Sequence, residues 1–302
     1  MADGAERGEE LPAPPVRVTM IRPSDQLAGL VDAYYIVDTI QTVSDHYLAG
    51  PGNIRFGRGT WVMTDNGVVV PTPQRSALFG PTDRAAVFGS HGPGIMMGAG
   101  LTPLGWVQFF DTPAIEMSNR VAELADFVGQ EEADAVGLAV ISTPGDTGVG
   151  DVLDAWLIAR AASRPKADPR IARIHRALLD GPVDVPAFAA AAGVSERTLQ
   201  RFCHQAFGFP PKALLRQKRF LRTLERVRGV LDRPLSGLID DGYFDQAHFN
   251  RDFRQYMGMS PTDYFNSPRE IMRRAAVVRR EVNGLGLQGL HPSQRSGDAD
   301  EA

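Results

Sequence analysis

Cysteine is nearly absent from this sequence. Cys203 stands alone, which excludes an internal disulfide and a cysteine-rich zinc site. Lysine is scarce as well: Lys166, Lys212 and Lys218 are the only three among 32 basic residues, so the positive charge is mostly arginine charge. No run of about 20 apolar residues occurs, so no segment reads as a membrane-spanning helix. The first residues, MADGAERGEELPAPP, lack the basic start and apolar core of a secretory signal, which points to a cytoplasmic protein. Enzyme signatures are missing too. There is no G-x-S-x-G, no H-E-x-x-H and no cysteine nucleophile outside the helical half. His46 and His91 are isolated, with no His-x-His pair to hold a metal. The Gly-rich run 89–105 does not fit G-x-G-x-x-G, and no Walker lysine follows it. These gaps argue against an enzyme and lead us to expect neither metal nor cofactor.

What is present is a charge split. Residues 1–163 carry 9 Lys+Arg against 20 Asp+Glu, whereas residues 164–280 carry 22 against 12. The net charge of −4 averages an acidic block and a basic one. Such a division suits two domains with different partners, and a basic excess is the footprint of nucleic-acid binding. The pattern along the chain agrees. Residues 1–16 read as a disordered leader. Residues 17–117 hold short apolar runs between Gly and Pro turns, including 60–63, 68–70, 85–88 and 106–110, and read as a mostly-β module, a small barrel or sandwich. Residues 27–34 suit a helix. From Ser118 the spacing of Val121, Leu124, Ala125 and Val128 predicts a helix capped by Ser118 or Asn119, and 152–162 predicts another, so 118–163 reads as a helical extension. Residues 164–169 read as a linker, 170–266 as an all-helical domain, and 267–302 as a helix and tail. The fold class is therefore α+β.

The helical domain contains one motif twice. Ala189 to Ala192 end an apolar helix. Gly193-Val194-Ser195 makes a turn ending in a helix cap. The next helix places Leu199, Phe202, Cys203 and Ala206 on one face and Arg197, Gln200, Arg201 and His204 on the other. This is the layout of a helix-turn-helix. It recurs as a helix over 235–241, a turn at Gly242-Tyr243-Phe244-Asp245, and a helix that buries Phe249, Phe253 and Tyr256 and turns out Gln246, Asn250, Arg251 and Arg254. A long basic helix from Pro211 to about Leu231 joins the two units. Cys203 and His248 read as structural residues.

The segment from about Ile171 to Phe265 resembles the DNA-binding domain of AraC/XylS-family bacterial transcription regulators. The resemblance is carried by Gly242-Tyr243-Phe244-Asp245-Gln246-Ala247-His248-Phe249, then Arg251, Phe253, Gly258, Ser260-Pro261 and Tyr264. The first unit matches more loosely through Gly193, Ser195, Arg197, Leu199, Arg201 and Gly208. The resemblance implies sequence-specific binding to double-stranded DNA, with RNA polymerase as a further partner. It also implies an N-terminal sensor, often a cupin-like barrel, that binds a small effector and forms a homodimer.

Arg can bond bidentately to guanine, and Gln or Asn to adenine. That makes Arg197, Gln200, Arg201 and His204, with Gln246, Asn250, Arg251 and Arg254, the candidates for reading bases. Ser195, Lys212, Arg216, Lys218 and Arg219 are candidates for phosphate contact. Trp61, Trp106, Phe109 and Phe110 can line an effector pocket, with core packing as the other reading. A constitutive DNA-binding scaffold, whose acidic half only dimerises, is the competing function.

Overall fold

The computed structural model describes residues 15–65, 67–70, 72, 75–228 and 246–283. The chain runs through ten strands: β1 (Val16–Ile21), β2 (Val31–Thr39), β3 (Val43–Tyr47), β4 (Asn53–Arg58), β5 (Trp61–Asp65), β6 (Val68–Val70), β7 (Ser76–Phe79), β8 (Ala86–Ser90), β9 (Gly94–Leu101) and β10 (Val121–Glu123). They form a six-stranded sheet in the order β1-β2-β9-β4-β7-β10 and a four-stranded sheet in the order β3-β8-β5-β6. Every recorded pairing is antiparallel.

The larger sheet is buried on both faces, and the two-residue period of a strand decides which face each side chain takes. Tyr34 and Ile36 on β2, Ile54 and Phe56 on β4, and Met97 and Ala99 on β9 pack into one cluster with helical residues. Their neighbours Val37 and Met96 turn the other way, toward Trp61, Met63 and Phe88 of the smaller sheet. The helices covering the first face are α1 (Pro103–Phe109), α2 (Ala125–Val128), α3 (Gln130–Ser142) and α4 (Asp146–Ala162), with Val136, Val140, Leu153 and Leu157 fully or nearly fully buried there. Burial of each such side chain is worth about 1.5–3 kcal/mol.

Several local expectations give way to tertiary context. Of residues 106–110, expected as a strand, 106–109 are helical: Thr102 caps α1 by accepting from the Gly105 N–H at 2.9 Å, and Pro103 fits its first turn. Residues 27–34, expected as a helix, are the end of a 3₁₀ turn (Asp25–Leu27) and the start of β2. The helix expected from Val121 is split, because Val121–Glu123 pairs with β7 before the short α2 begins. Ser118 and Asn119 are not its caps. Asn119 takes a left-handed φ of 57°, and the Ser118 hydroxyl donates to the Gly208 carbonyl at 2.6 Å.

Beyond the coil at 164–169 the chain is helical: α5 (Arg170–Asp180), α6 (Val185–Ala192), α7 (Glu196–Phe202, continued by a π turn Cys203–Phe207), α8 (Pro211–Arg228), α9 (Gln246–Met257), α10 (Pro261–Asn266) and α11 (Glu270–Asn283). The helix expected over 235–241, the turn at 242–245, the leader to residue 14 and the tail from 284 lie outside the described residues. The coil is tied down. Gln108, buried on α1, donates to the Ala161 and Pro165 carbonyls and accepts from the Ala167 N–H. Further bonds join the two halves. Gln217 Nε2 donates to the Thr82 carbonyl, and the Ala85 N–H donates to the Tyr256 carbonyl, both at 2.7 Å. Among the described residues no helix is long and apolar enough to cross a membrane.

Candidate nucleic-acid interface

The first helix pair is built by three local devices. Asp184 caps α6 by accepting from the Ala187 N–H at 2.8 Å. Gly193 ends α6 at φ 64°, a left-handed conformation that a Cβ would strain even though open space surrounds it. Ser195 then caps α7, accepting from the Thr198 N–H at 3.2 Å. The helix turns Leu199 and Phe202 inward, with Cys203 and Ala206 continuing the buried face, against Ile171, Ile174, Leu178 and Phe188. Burial pushes the Cys203 thiol up to about 12, which suits a core residue rather than a nucleophile. The opposite face leaves Arg197, Gln200 and Arg201 exposed. His204 is half-buried, its ring 3.4 Å from the Gln200 amide. The Arg201 guanidinium lies 4.8 Å from the Phe202 ring centroid.

Among the described residues of the second unit, α9 divides its faces as α7 does. Phe249, Phe253 and Tyr256 are buried, and Gln246, Arg251 and Arg254 are exposed, with Asn250 and His248 half-buried. Its core is aromatic: Phe220 of α8 stacks on Tyr256 at 4.8 Å and meets Phe253 edge-on at 5.5 Å. Asp252 points inward with 0% exposure and accepts from Arg216 Nη2 at 2.6 Å. That bond fixes the angle between α8 and α9 through a charged pair.

The phosphate candidates divide. Lys212 is exposed and Arg219 half-buried on α8, whereas Arg216 is committed to Asp252. The Ser195 hydroxyl both caps α7 and donates to Thr198 Oγ1 at 2.9 Å. Lys218 is a correction: it is 8% exposed, on the face of α8 turned to the N-terminal module rather than to solvent. Desolvation, then Arg222, pulls its ammonium down to about 8, so it is no phosphate contact in this arrangement. The four aromatic residues do not gather around one pocket. Phe109 and Phe110 pack with Trp106 in the sheet–helix core, and Trp61 lies in the separate core between the sheets. Among the described residues no group of three metal-ligating side chains occurs.

One feature of the chain was missed from the sequence. A cavity of about 60 Å³ lies between the sheets and is covered by α11. Arg55 lines it, 4% exposed, with Nη1 buried and without a hydrogen-bond partner. The signal was available in β4, where Asn53 and Arg55 alternate with Ile54 and Phe56. Polar residues at alternate positions of an apolar strand belong either at a surface or around a polar interior.

Residues 188–267 match the family model described as a helix-turn-helix domain. No curated protein matches the sequence. Among solved structures, the chain is similar to ToxT from Vibrio cholerae, with 7% identity over 78% of this chain and 97% of that one at a TM-score of 0.43. Unsaturated fatty acid bound ToxT from the same organism gives 10% identity over 82% of this chain and 94% of that one, also at 0.43. The AraC-like transcriptional activator CuxR gives 15% identity over 69% and 86%, at 0.27. At these identities and scores they are likenesses only.

Proposed function

We propose that this chain, which carries a C-terminal helix-turn-helix domain of the AraC type, is a sequence-specific transcription regulator that reads two successive major-groove segments. The observation that carries this reading is the exposed row Arg197, Gln200 and Arg201 on α7, a helix whose other face is buried and whose start is fixed by Gly193 and Ser195. Arg251 and Arg254 supply the corresponding row on α9. In this reading the exposed side chains meet base edges, each good bidentate pair adding about 1–3 kcal/mol of discrimination. Lys212 and Arg219 supply affinity without sequence choice.

The acidic half acts as the regulator's sensor, taking a small effector between its sheets. Two observations support this: the cavity there, and the bonds that hold the module against the helical half. For a homodimer, the module offers the edge of the four-stranded sheet, where Val68 and Val69 of β6 are exposed. Contact with RNA polymerase belongs to the same reading.

Titration of full-length protein on random-sequence duplex DNA tests the DNA-binding part. Affinity should fall by about 10³-fold or more between 50 and 200 mM salt if six or more phosphates are contacted. Absence of binding at low salt would overturn it.

A further inference from the structure

The inter-sheet cavity is lined by more cationic than anionic side chains. Arg55 on β4 and Arg279 on α11 bring two guanidiniums to its wall, and Asp32 is the single carboxylate among the lining residues. A buried cation is costly unless it is paired and hydrogen-bonded. Arg55 has only part of what it needs. Its Nε donates to the Tyr35 hydroxyl at 3.1 Å, and its guanidinium lies 4.5, 3.9 and 4.7 Å from the Tyr47, Phe79 and Phe88 ring centroids, but Nη1 has no acceptor.

The surrounding groups are donors. The Tyr35 hydroxyl accepts from Arg55, and the Tyr47 hydroxyl accepts from Asn53 Nδ2 at 2.8 Å, so each keeps a proton to give. Burial holds the Tyr35 hydroxyl up at about 12, in its protonated, donating form. Tyr35 is placed by a close approach: a Cβ on Gly98 would lie 2.5 Å from its hydroxyl. The rest of the wall is apolar, including Val37, Phe88 and Met96.

We infer that this cavity binds a small organic carboxylate, seated on Arg55 and covered by α11. The inference rests on the sensor reading above and names the chemistry of its ligand. A guanidinium with two hydroxyl donors matches the acceptor-only edge of a carboxylate, and the apolar wall takes its carbon chain. Asn53 Oδ1, buried without a partner, can accept from a hydroxyl next to that carboxylate. One water occupies roughly 10–15 Å³ on this scale, so the room suits an acid of a few heavy atoms.

The cover makes the site regulatory. The Met272 N–H at the start of α11 donates to buried Asp45 of β3 at 2.7 Å. Ile271 packs in the core between the sheets, whereas Met272 packs with Phe249 and Phe253 of the second helix-turn-helix unit. Any acid that changes the seating of α11 therefore acts on α9.

Calorimetry and thermal shift on full-length protein test this. The probes are straight-chain acids from acetate to octanoate and their 2-hydroxy counterparts, each against its primary amide at fixed ionic strength. We expect at least one acid to bind with one site per chain, at least tenfold tighter than its amide. Arg55→Gln should abolish that preference. Should Arg55→Gln fail to fold, Arg279→Gln should weaken the acid, and Ala275→Leu, which fills the cavity from α11, should block it. Equal binding of acid and amide, no binding across the series, or an acid preference that survives both Arg55→Gln and Ala275→Leu would overturn the inference. DNA affinity measured on the same samples separates the two readings. DNA binding without an acid response removes only this site, and acid binding without DNA binding removes only the regulator.

Discussion

The two helix-turn-helix units share a plan but not a foundation. The first has a core made mostly of its own residues, Ile171, Ile174, Leu178, Phe188, Leu199 and Phe202, with Leu104 and Val107 of α1 packed at its edge and Ser118 bonded to Gly208. The second borrows. Its aromatic cluster includes Leu48 from the β module and Met272 from α11, with Ala85 packed at its edge. It is further held by the Ala85–Tyr256 backbone bond and by an edge contact between His46 and Tyr264. A helix pair whose core is mostly its own depends less on its neighbours. A pair that shares its core reports on them. On this comparison we propose that the first unit is the steadier reader of DNA and that the second, whose core includes Leu48 and Met272, is the part a sensor can move.

The largest expected effect breaks the second unit alone. Phe253 is fully buried and touches Phe220, Phe249, Tyr264 and Phe265, so Phe253→Ala should cost about 3–5 kcal/mol. Thermal unfolding should show a destabilised transition while hydrogen exchange in α6 and α7 stays protected; loss of protection in both units would mean their cores are one. Arg216→Ala comes next. It removes the charged bond to buried Asp252, at a cost of about 1.5–3 kcal/mol. Arg216→Lys should recover part of the loss in the same denaturant titration.

Arg201→Ala probes the first unit from its exposed face. It should weaken specific binding by about 1–3 kcal/mol and relax base preference in one half-site, leaving stability unchanged. Unchanged affinity for the selected site would remove α7 as the reader.

Lys218 tests the docking of the two halves. Its folded pKa of about 8 lies below the ordinary 10.5, so the unfolded chain holds the extra proton and stability rises with pH. Between pH 8 and 9 this should amount to about 1 kcal/mol, and Lys218→Met should flatten the rise. The smallest effect is local: Ser195→Ala removes one cap and should cost about 1 kcal/mol, confined to the first unit.

Much of the helical half was legible because its determinants are local. Gly193, Ser195 and the spacing of Leu199, Phe202 and Cys203 specify a turn, a cap and a buried face without reference to anything distant. The charge split marked the same boundary that the coil at 164–169 occupies. What escaped was set by tertiary contact. Lys218 is one of several basic residues along α8, and only the docking of α8 against Thr82 and its neighbours buries it. Trp106 to Phe110 has the composition of a strand, yet the Thr102 cap and Pro103 start a helix whose core partners are fixed by the sheet. Trp61 and Trp106 share a residue type but not a pocket, because the two faces of the larger sheet keep them apart. Arg55 is one of a few basic residues in the acidic half of the sequence, and its place at the cavity depends on the strand order and the docking of α11.

The central claim is that one chain reads DNA with two unequal helix pairs. Selection of bound duplexes from a random pool, run in parallel with full-length protein and its Arg201→Ala variant, tests it most directly. We expect two clusters of preferred bases about 10 base pairs apart on one face of the duplex, with the variant losing preference in one cluster only. A pool that shows no enrichment, or a variant that erases both clusters equally, would contradict it.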